Sequence, residues 1–124
     1  MIIGIGCDVT DFKIAKELNW EKDEKFLIRV FSPREIESYK NQNRLSYLTG
    51  RFAVKEAVLK CLGTGMHDGI SLNNIEILQS EFGKPKIELK GEIRNISQGL
   101  GINKWHISIS HSTTCSIAYV IAEN

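Results

Sequence analysis

The sequence predicts an α+β domain, with helices packed on a mainly antiparallel sheet. Three observations lead there. Both ends of the chain alternate as strands do, the middle carries two well-punctuated helices, and the last two strand candidates are joined by only three polar residues. A length of 124 residues suits one domain spanning 1–124. A chain of that size buries roughly two thirds of its unfolded surface and needs no disulfides.

The elements follow in order. In "IIGIGCDV", Ile3, Ile5, Cys7 and Val9 share one face of a strand, and Gly4, Gly6 and Asp8 share the other. Two glycines beside a carboxylate leave that second face open to another backbone or to a ligand. Residues 11–30 are mixed helical sequence rich in lysine. "FSPREIESY" starts a helix: Ser32 caps it, Pro33 suits the first turn and Glu35 completes a capping box. A longer helix runs from about Arg44 to Leu62, on the spacing of Leu45, Leu48 and Phe52, with Gly63 as its C-cap. "NNIEILQ" and "KPKIEL" are short strands joined through Gly83, Lys84 and Pro85, and "GEIRNISQGLG" is a short helix bounded by glycines. "KWHISISH" alternates, while "CSIAYVIA" is apolar on both parities and so belongs at the centre of a sheet. A hairpin through Ser112, Thr113 and Thr114 joins them.

Bulk composition removes several function classes. Apolar content of 42% and charged content of 25% are those of an ordinary globular chain, and a net charge of +1 argues against a protein that coats nucleic acid. Cys7, Cys61 and Cys115 are odd in number and sit in apolar runs, which predicts buried thiols in a reducing compartment. No CxxC pair points to structural zinc. The N-terminus lacks the features of a secretion signal and no run reaches membrane-spanning length. The expectation is a cytoplasmic protein with neither membrane nor nucleic acid as partner.

Two carboxylates and a lysine stand out. Asp8 lies on an apolar strand, and "GRFAVKEAVLKCLGTG" carries Glu56 and Lys60 one turn apart in otherwise apolar sequence. Each has a plain structural reading. Asp8 could cap the next segment, and Glu56–Lys60 has the favoured order of a helical ion pair worth about 0.2–0.5 kcal/mol. An ion pair set in apolar surface is costly unless something compensates it. Magnesium would do so, since it takes one or two carboxylates and completes its shell with water and phosphate oxygens. Lys60 would then meet phosphate as a point charge. Gly63, Thr64 and Gly65 could offer backbone N–H groups, although the helix dipole opposes an anion at a C-terminus.

His111 closes the "HISISH" strand on the parity of Trp105, Ile107 and Ile109. It reads either as a satisfied core histidine or as a group that binds phosphate or moves a proton. His67 and His106 have no comparable setting. Lys22, Lys25 and Arg29 fall at helical spacing beside Phe26 and Ile28, a stripe that is a solvated face or a dock for an acidic helix.

Together these stretches resemble a known family, the holo-acyl-carrier-protein synthases, which are the short 4′-phosphopantetheinyl transferases. The motifs that carry the resemblance are "GIGCDVTDF", "FSPREIESY", "GRFAVKEAVLKCLGTG", "FGKP" and "HISISHSTTCSIAYVIAE", in the family's order and across nearly the whole chain. The resemblance implies the 4′-phosphopantetheinyl transferase fold and a reaction: transfer of the phosphopantetheine arm of coenzyme A to a serine of apo-acyl carrier protein, releasing adenosine 3′,5′-bisphosphate. It implies that Asp8 and Glu56 hold magnesium and that Lys60 lies near the pyrophosphate. Gly63, Thr64, Gly65, Ser110 and His111 match regions that hold coenzyme A, and Lys22, Lys25 and Arg29 lie where the carrier docks. It also implies a homotrimer with sites between subunits, and a role in fatty acid biosynthesis. Glu21, Asp23 and Glu24 make the docking region less basic than the family's pattern. Cys7 replaces a larger aliphatic residue.

The implied site residues, Asp8, Glu56, Lys60 and His111, leave three acceptors for the serine proton: a metal-bound water, Glu56 and His111. The rival reading is a non-enzymatic module that binds coenzyme A or a nucleotide without using both carboxylates.

Overall fold

The computed structural model describes residues 1–65, 70–80 and 82–124. His67 lies outside them. The chain runs β1 (Ile2–Asp11), α1 (Phe12–Glu17), a 3-10 turn (Trp20–Lys22), α2 (Glu24–Val30), α3 (Pro33–Gln42) and α4 (Leu45–Leu62). A second 3-10 turn (Leu72–Asn74), β2 (Ile75–Gln79), β3 (Pro85–Leu89), α5 (Gly91–Gly99), β4 (Lys104–His111) and β5 (Cys115–Glu123) complete it. All strand pairs are antiparallel, as expected, but they form two sheets: β1-β5-β4, with β5 central, and the hairpin β2-β3.

Helix α4 is the centre of the molecule. Most of its length is buried, from Tyr47 through Cys61. It can lie flat on β1 because Gly4 and Gly6 present no side chain. A Cβ on Gly4 would stand 2.2 Å from the Cys61 carbonyl oxygen, and one on Gly6 2.0 Å from that of Ala57. Helix backbone therefore touches strand backbone, and the open face foreseen beside Asp8 is filled by α4. Ala118, Val120 and Ala122 of β5 continue the floor beneath the helix.

The other side of α4 is held by charge. Lys55 is fully buried, 2.7 Å from an equally buried Glu35 carboxylate. Its ammonium also donates to the carbonyls of Leu72 and Ile75. Glu35 accepts from Ser32 N–H in the foreseen capping box and from Ile77 N–H across the interface. Four elements meet at this one pair. Burial pushes the Lys55 pKa down, and Glu35 works against that shift.

Two expectations need correction. Cys7 is exposed, not buried. It points with Ile5 and Val9, 64% and 56% exposed, away from α4 on the outer face of the three-stranded sheet. No layer of this chain covers that face among the described residues, because the glycines, and not the large apolar residues, face the helix. The basic stripe is also broken. Lys22 ends a 3-10 turn and Asp23 caps a new helix, accepting from Phe26 N–H at 3.1 Å, so only Lys25 and Arg29 share α2.

The glycine contact has a direct test. Gly6→Ala must displace helix backbone, and overpacking of this kind destabilises by about 1–3 kcal/mol. A lowered urea midpoint of that size, with no change in secondary-structure content, is the expected outcome.

Candidate active site

Asp8 is the first residue of β1 beyond the two glycines that carries a side chain toward α4. On the helix, Cβ atoms tilt toward the N-terminus, so Lys60 leans back over the turn that holds Glu56. Its ammonium donates to Asp8 Oδ1 and to the Cys7 carbonyl, each at 3.0 Å. Thr10 Oγ1 donates to Asp8 Oδ2 at 3.4 Å. The i,i+4 pair of Glu56 with Lys60 is not formed: the lysine is taken by the strand.

That leaves Glu56 half-buried, with no hydrogen bond or ion pair among the described residues. Burial raises its pKa from the ordinary 4.5, the Asp8 charge raises it further, and Lys60 opposes both. The hydrogen bond from Lys60 to Asp8 in turn holds the lysine pKa up. Two carboxylates thus converge on one spot with a single lysine between them. No cluster of three or more metal-ligating side chains occurs among the described residues. Two carboxylates are the donor set that suits a hard cation sharing its shell with water and phosphate.

The glycine loop serves the helix first. Gly63 is left-handed at φ 71°, and Gly63 N–H and Thr64 N–H return to the carbonyls of Lys60 and Leu59 at 3.1 and 3.0 Å. These two N–H groups close α4 and so do not stand open for phosphate, as the sequence reading of Gly63-Thr64-Gly65 had them.

His111 lies elsewhere. It sits at Gly50, near the start of α4, with Nδ1 2.7 Å from Ser116 Oγ. Burial and the neighbouring Arg51 guanidinium lower its pKa. Ser110 points to the opposite face of β4. His111, Arg51, Gly83 and Pro85 border a cleft of about 320 Å³.

Arg51 was not singled out from sequence. It is 8% exposed, its guanidinium carbon lies 3.7 Å from the centroid of the Tyr47 ring, and its Nε has no partner among the described residues. The available signal was a lone cation inside "TGRFAV", a run with no carboxylate to pair it. Lys55 was missed as well, although it falls seven residues after Leu48 on the apolar repeat.

The family comparison is decisive. Residues 4–118 match the model of the 4′-phosphopantetheinyl transferase superfamily. The chain belongs to that superfamily. Within it, the chain is 43% identical to the holo-[acyl-carrier-protein] synthase of Clostridium kluyveri, over 99% of this chain and 91% of that protein. It is 37% identical to the synthase of Maridesulfovibrio salexigens, over 99% of each. The synthase structure from Neisseria meningitidis superposes with a TM-score of 0.90 at 32% identity, covering all of both chains. The Helicobacter pylori synthase in complex with coenzyme A gives 0.82 at 31% identity, over 96% of this chain and 99% of that one. The chain is thus a member of the holo-[acyl-carrier-protein] synthases, an enzyme of the transferase class, with the superfamily's α+β fold.

The Glu56 environment sets a pH signature. Its folded pKa lies above its unfolded one, so the folded state holds the proton more tightly. The resulting penalty is absent below the ordinary carboxylate range and develops as pH rises through the folded pKa. In magnesium-free buffer, Glu56→Gln should therefore melt higher than the wild type at pH 7. The gap should close toward about pH 3, as read by calorimetry.

Proposed function

We propose that this chain transfers 4′-phosphopantetheine from coenzyme A to a serine of apo-acyl carrier protein, releasing adenosine 3′,5′-bisphosphate. The observation that carries the reading is the convergence of Asp8, Glu56 and Lys60. Family membership supports it, as does the coenzyme A complex of the similar Helicobacter pylori synthase. The single short domain fits service to a fatty acid biosynthesis carrier in the cytoplasm.

Asp8 and Glu56 would hold Mg2+, and their chemistry fits: both are oxygen donors, and Glu56 has no competing partner among the described residues. Bound there, the ion would neutralise charge on the coenzyme A pyrophosphate. The rest falls to the chain. The carrier serine oxygen attacks the β-phosphorus in line, and the bond to the bridging oxygen breaks. Lys60 meets the charge growing on that leaving oxygen. The serine proton must pass to an acceptor. With Glu56 engaged by the ion, the acceptors open to that proton are a metal-bound water, Glu56 itself and His111.

Coenzyme A carries a second anionic end, its 3′-phosphate. The cleft of Arg51 and His111 offers a matching cation and a titratable ring. Within one chain this cleft is apart from Asp8, which supports sites shared between subunits of a homotrimer. The outer sheet face supports self-association, since it exposes Ile5, Val9 and Tyr119, the last 52% exposed. Three as the number of copies comes from the family resemblance. Lys22, Lys25 and Arg29, all exposed, would dock the acidic carrier, with the exposed Ile28 among them.

Incubation with apo-carrier, coenzyme A and magnesium should add one phosphopantetheine to the carrier serine, read by mass spectrometry. A chain that binds coenzyme A with no gain on the carrier is instead a non-enzymatic binding module. Glu56→Gln should lower turnover by about 10²-fold or more and abolish the magnesium dependence while the fold persists.

Oligomeric state provides a second test. Ile5→Asp places a charge on the open sheet face and should yield monomers by light scattering, with transfer lost because the two halves of each site separate.

A further inference from the structure

Two hydroxyl groups lie buried behind His111. Ser116, on the central strand, and Thr49, on α4, are both wholly inaccessible to solvent. Ser116 Oγ stands 2.7 Å from His111 Nδ1 and 2.8 Å from Thr49 Oγ1. Thr49 Oγ1 also reaches back along its helix to the carbonyls of Leu45 and Ser46, at 3.3 and 3.4 Å.

We infer that Thr49 and Ser116 are positioning residues that hold neutral His111 as its Nδ1–H tautomer, with the lone pair of Nε2 facing the Arg51 cleft. The inference deepens the functional reading above and rests on it for its biological meaning.

Counting hydrogens leads to this tautomer. The chain of three polar groups ends at helix carbonyls, which can only accept. If Thr49 donates to a carbonyl, its oxygen accepts from Ser116. Ser116 then has no hydrogen left for the ring and must accept, so Nδ1 must carry the proton. This order makes three hydrogen bonds: Nδ1–H to Ser116, Ser116 to Thr49, and Thr49 to a helix carbonyl. In the reverse order Thr49 donates to Ser116 and Ser116 to a bare Nδ1, which makes two and turns Nε2–H toward the Arg51 guanidinium, a group with no acceptor. The arrangement with more internal hydrogen bonds is the favoured one.

The ring is also fixed in place. A Cβ on Gly50 would lie 2.9 Å from His111 Cε1 and 3.6 Å from Nε2, so the imidazole edge packs on helix backbone. Turning the ring over would exchange Nδ1 for a carbon and break the bond to Ser116. Burial and Arg51 keep the ring neutral near pH 7, where the choice of tautomer matters. Held this way, Nε2 can take a proton but cannot give one until the ring is protonated. The neutral ring would then accept a hydrogen bond in the cleft, and only the cation would donate to a phosphate oxygen. The choice decides which of the two roles open to His111, phosphate binding or proton transfer, applies to each charge state.

Nitrogen-15 NMR of histidine-labelled full-length protein at about pH 8, well above the ring's pKa, reads the tautomer directly. The resonance absent from His111→Gln gives the assignment. The wild type should show a protonated Nδ1, against the preference of a free histidine side chain for Nε2–H. Thr49→Val removes the acceptor of the Ser116 hydrogen at nearly constant volume. That hydrogen then turns to the ring, and the spectrum should switch to Nε2–H. Thr49→Ser keeps the hydroxyl and should restore Nδ1–H. An Nε2–H wild type overturns the inference, and so does a Thr49→Val spectrum that stays Nδ1–H. In turnover, Thr49→Val should lose about fivefold in kcat/KM, the size of one net hydrogen bond, and Thr49→Ser should recover it. The tautomer measurement needs neither carrier nor turnover. A wrong tautomer with transfer intact strikes this inference alone, and no transfer with the tautomer intact strikes only the functional reading.

Discussion

Everything in this fold leans on one close approach, the backbone of α4 lying against the backbone of β1 at Gly4 and Gly6. Side chains at those two positions would hold helix and strand apart by the thickness of a side-chain layer. Without that layer, a lysine on the helix can reach a carboxylate and a main-chain carbonyl on the strand. Asp8, Glu56 and Lys60 are brought together by the absence of side chains next door.

The same approach decides what must happen on the far side of α4. A helix buried on nearly every face cannot be placed by a single apolar stripe. Its outer position is set by the Lys55–Glu35 pair, which draws α3, α4, the second 3-10 turn and β2 to one point. A buried ion pair contributes little net stability, because desolvation offsets its attraction, but breaking it leaves an uncompensated charge. Its effect here is positional. The glycines set how near α4 comes to the sheet, and the ion pair sets how α4 sits against α3 and the hairpin.

The charge distribution divides along α4. Toward its C-terminal end, acid prevails: among the described residues Glu56 is left unpartnered beside Asp8, and its pKa is raised. Toward its N-terminal end, base prevails: Arg51 Nε has no partner among the described residues, and burial together with the Arg51 charge depresses the pKa of His111. An acidic pocket attracts a cation and a basic cleft attracts a phosphate. The two lie toward opposite ends of α4, and among the described residues the outer face of the sheet stays uncovered.

The local elements were legible in the sequence because their signals are local. The Ser32–Glu35 capping box, the Gly63 stop, the alternation of β4 and the double-sided apolarity of β5 each act within a few residues, and each element formed where those signals put it. The residue types at the site were legible too, since Asp8, Glu56 and Lys60 are conspicuous in apolar surroundings. What only the tertiary structure decided is partnership: Lys60 with Asp8 in place of Glu56, Lys55 with Glu35, Arg51 beside His111, and Cys7 on an open face. Those pairings join residues 20 to more than 50 positions apart. They depend on how closely two backbones approach, a distance that no residue's own chemistry contains.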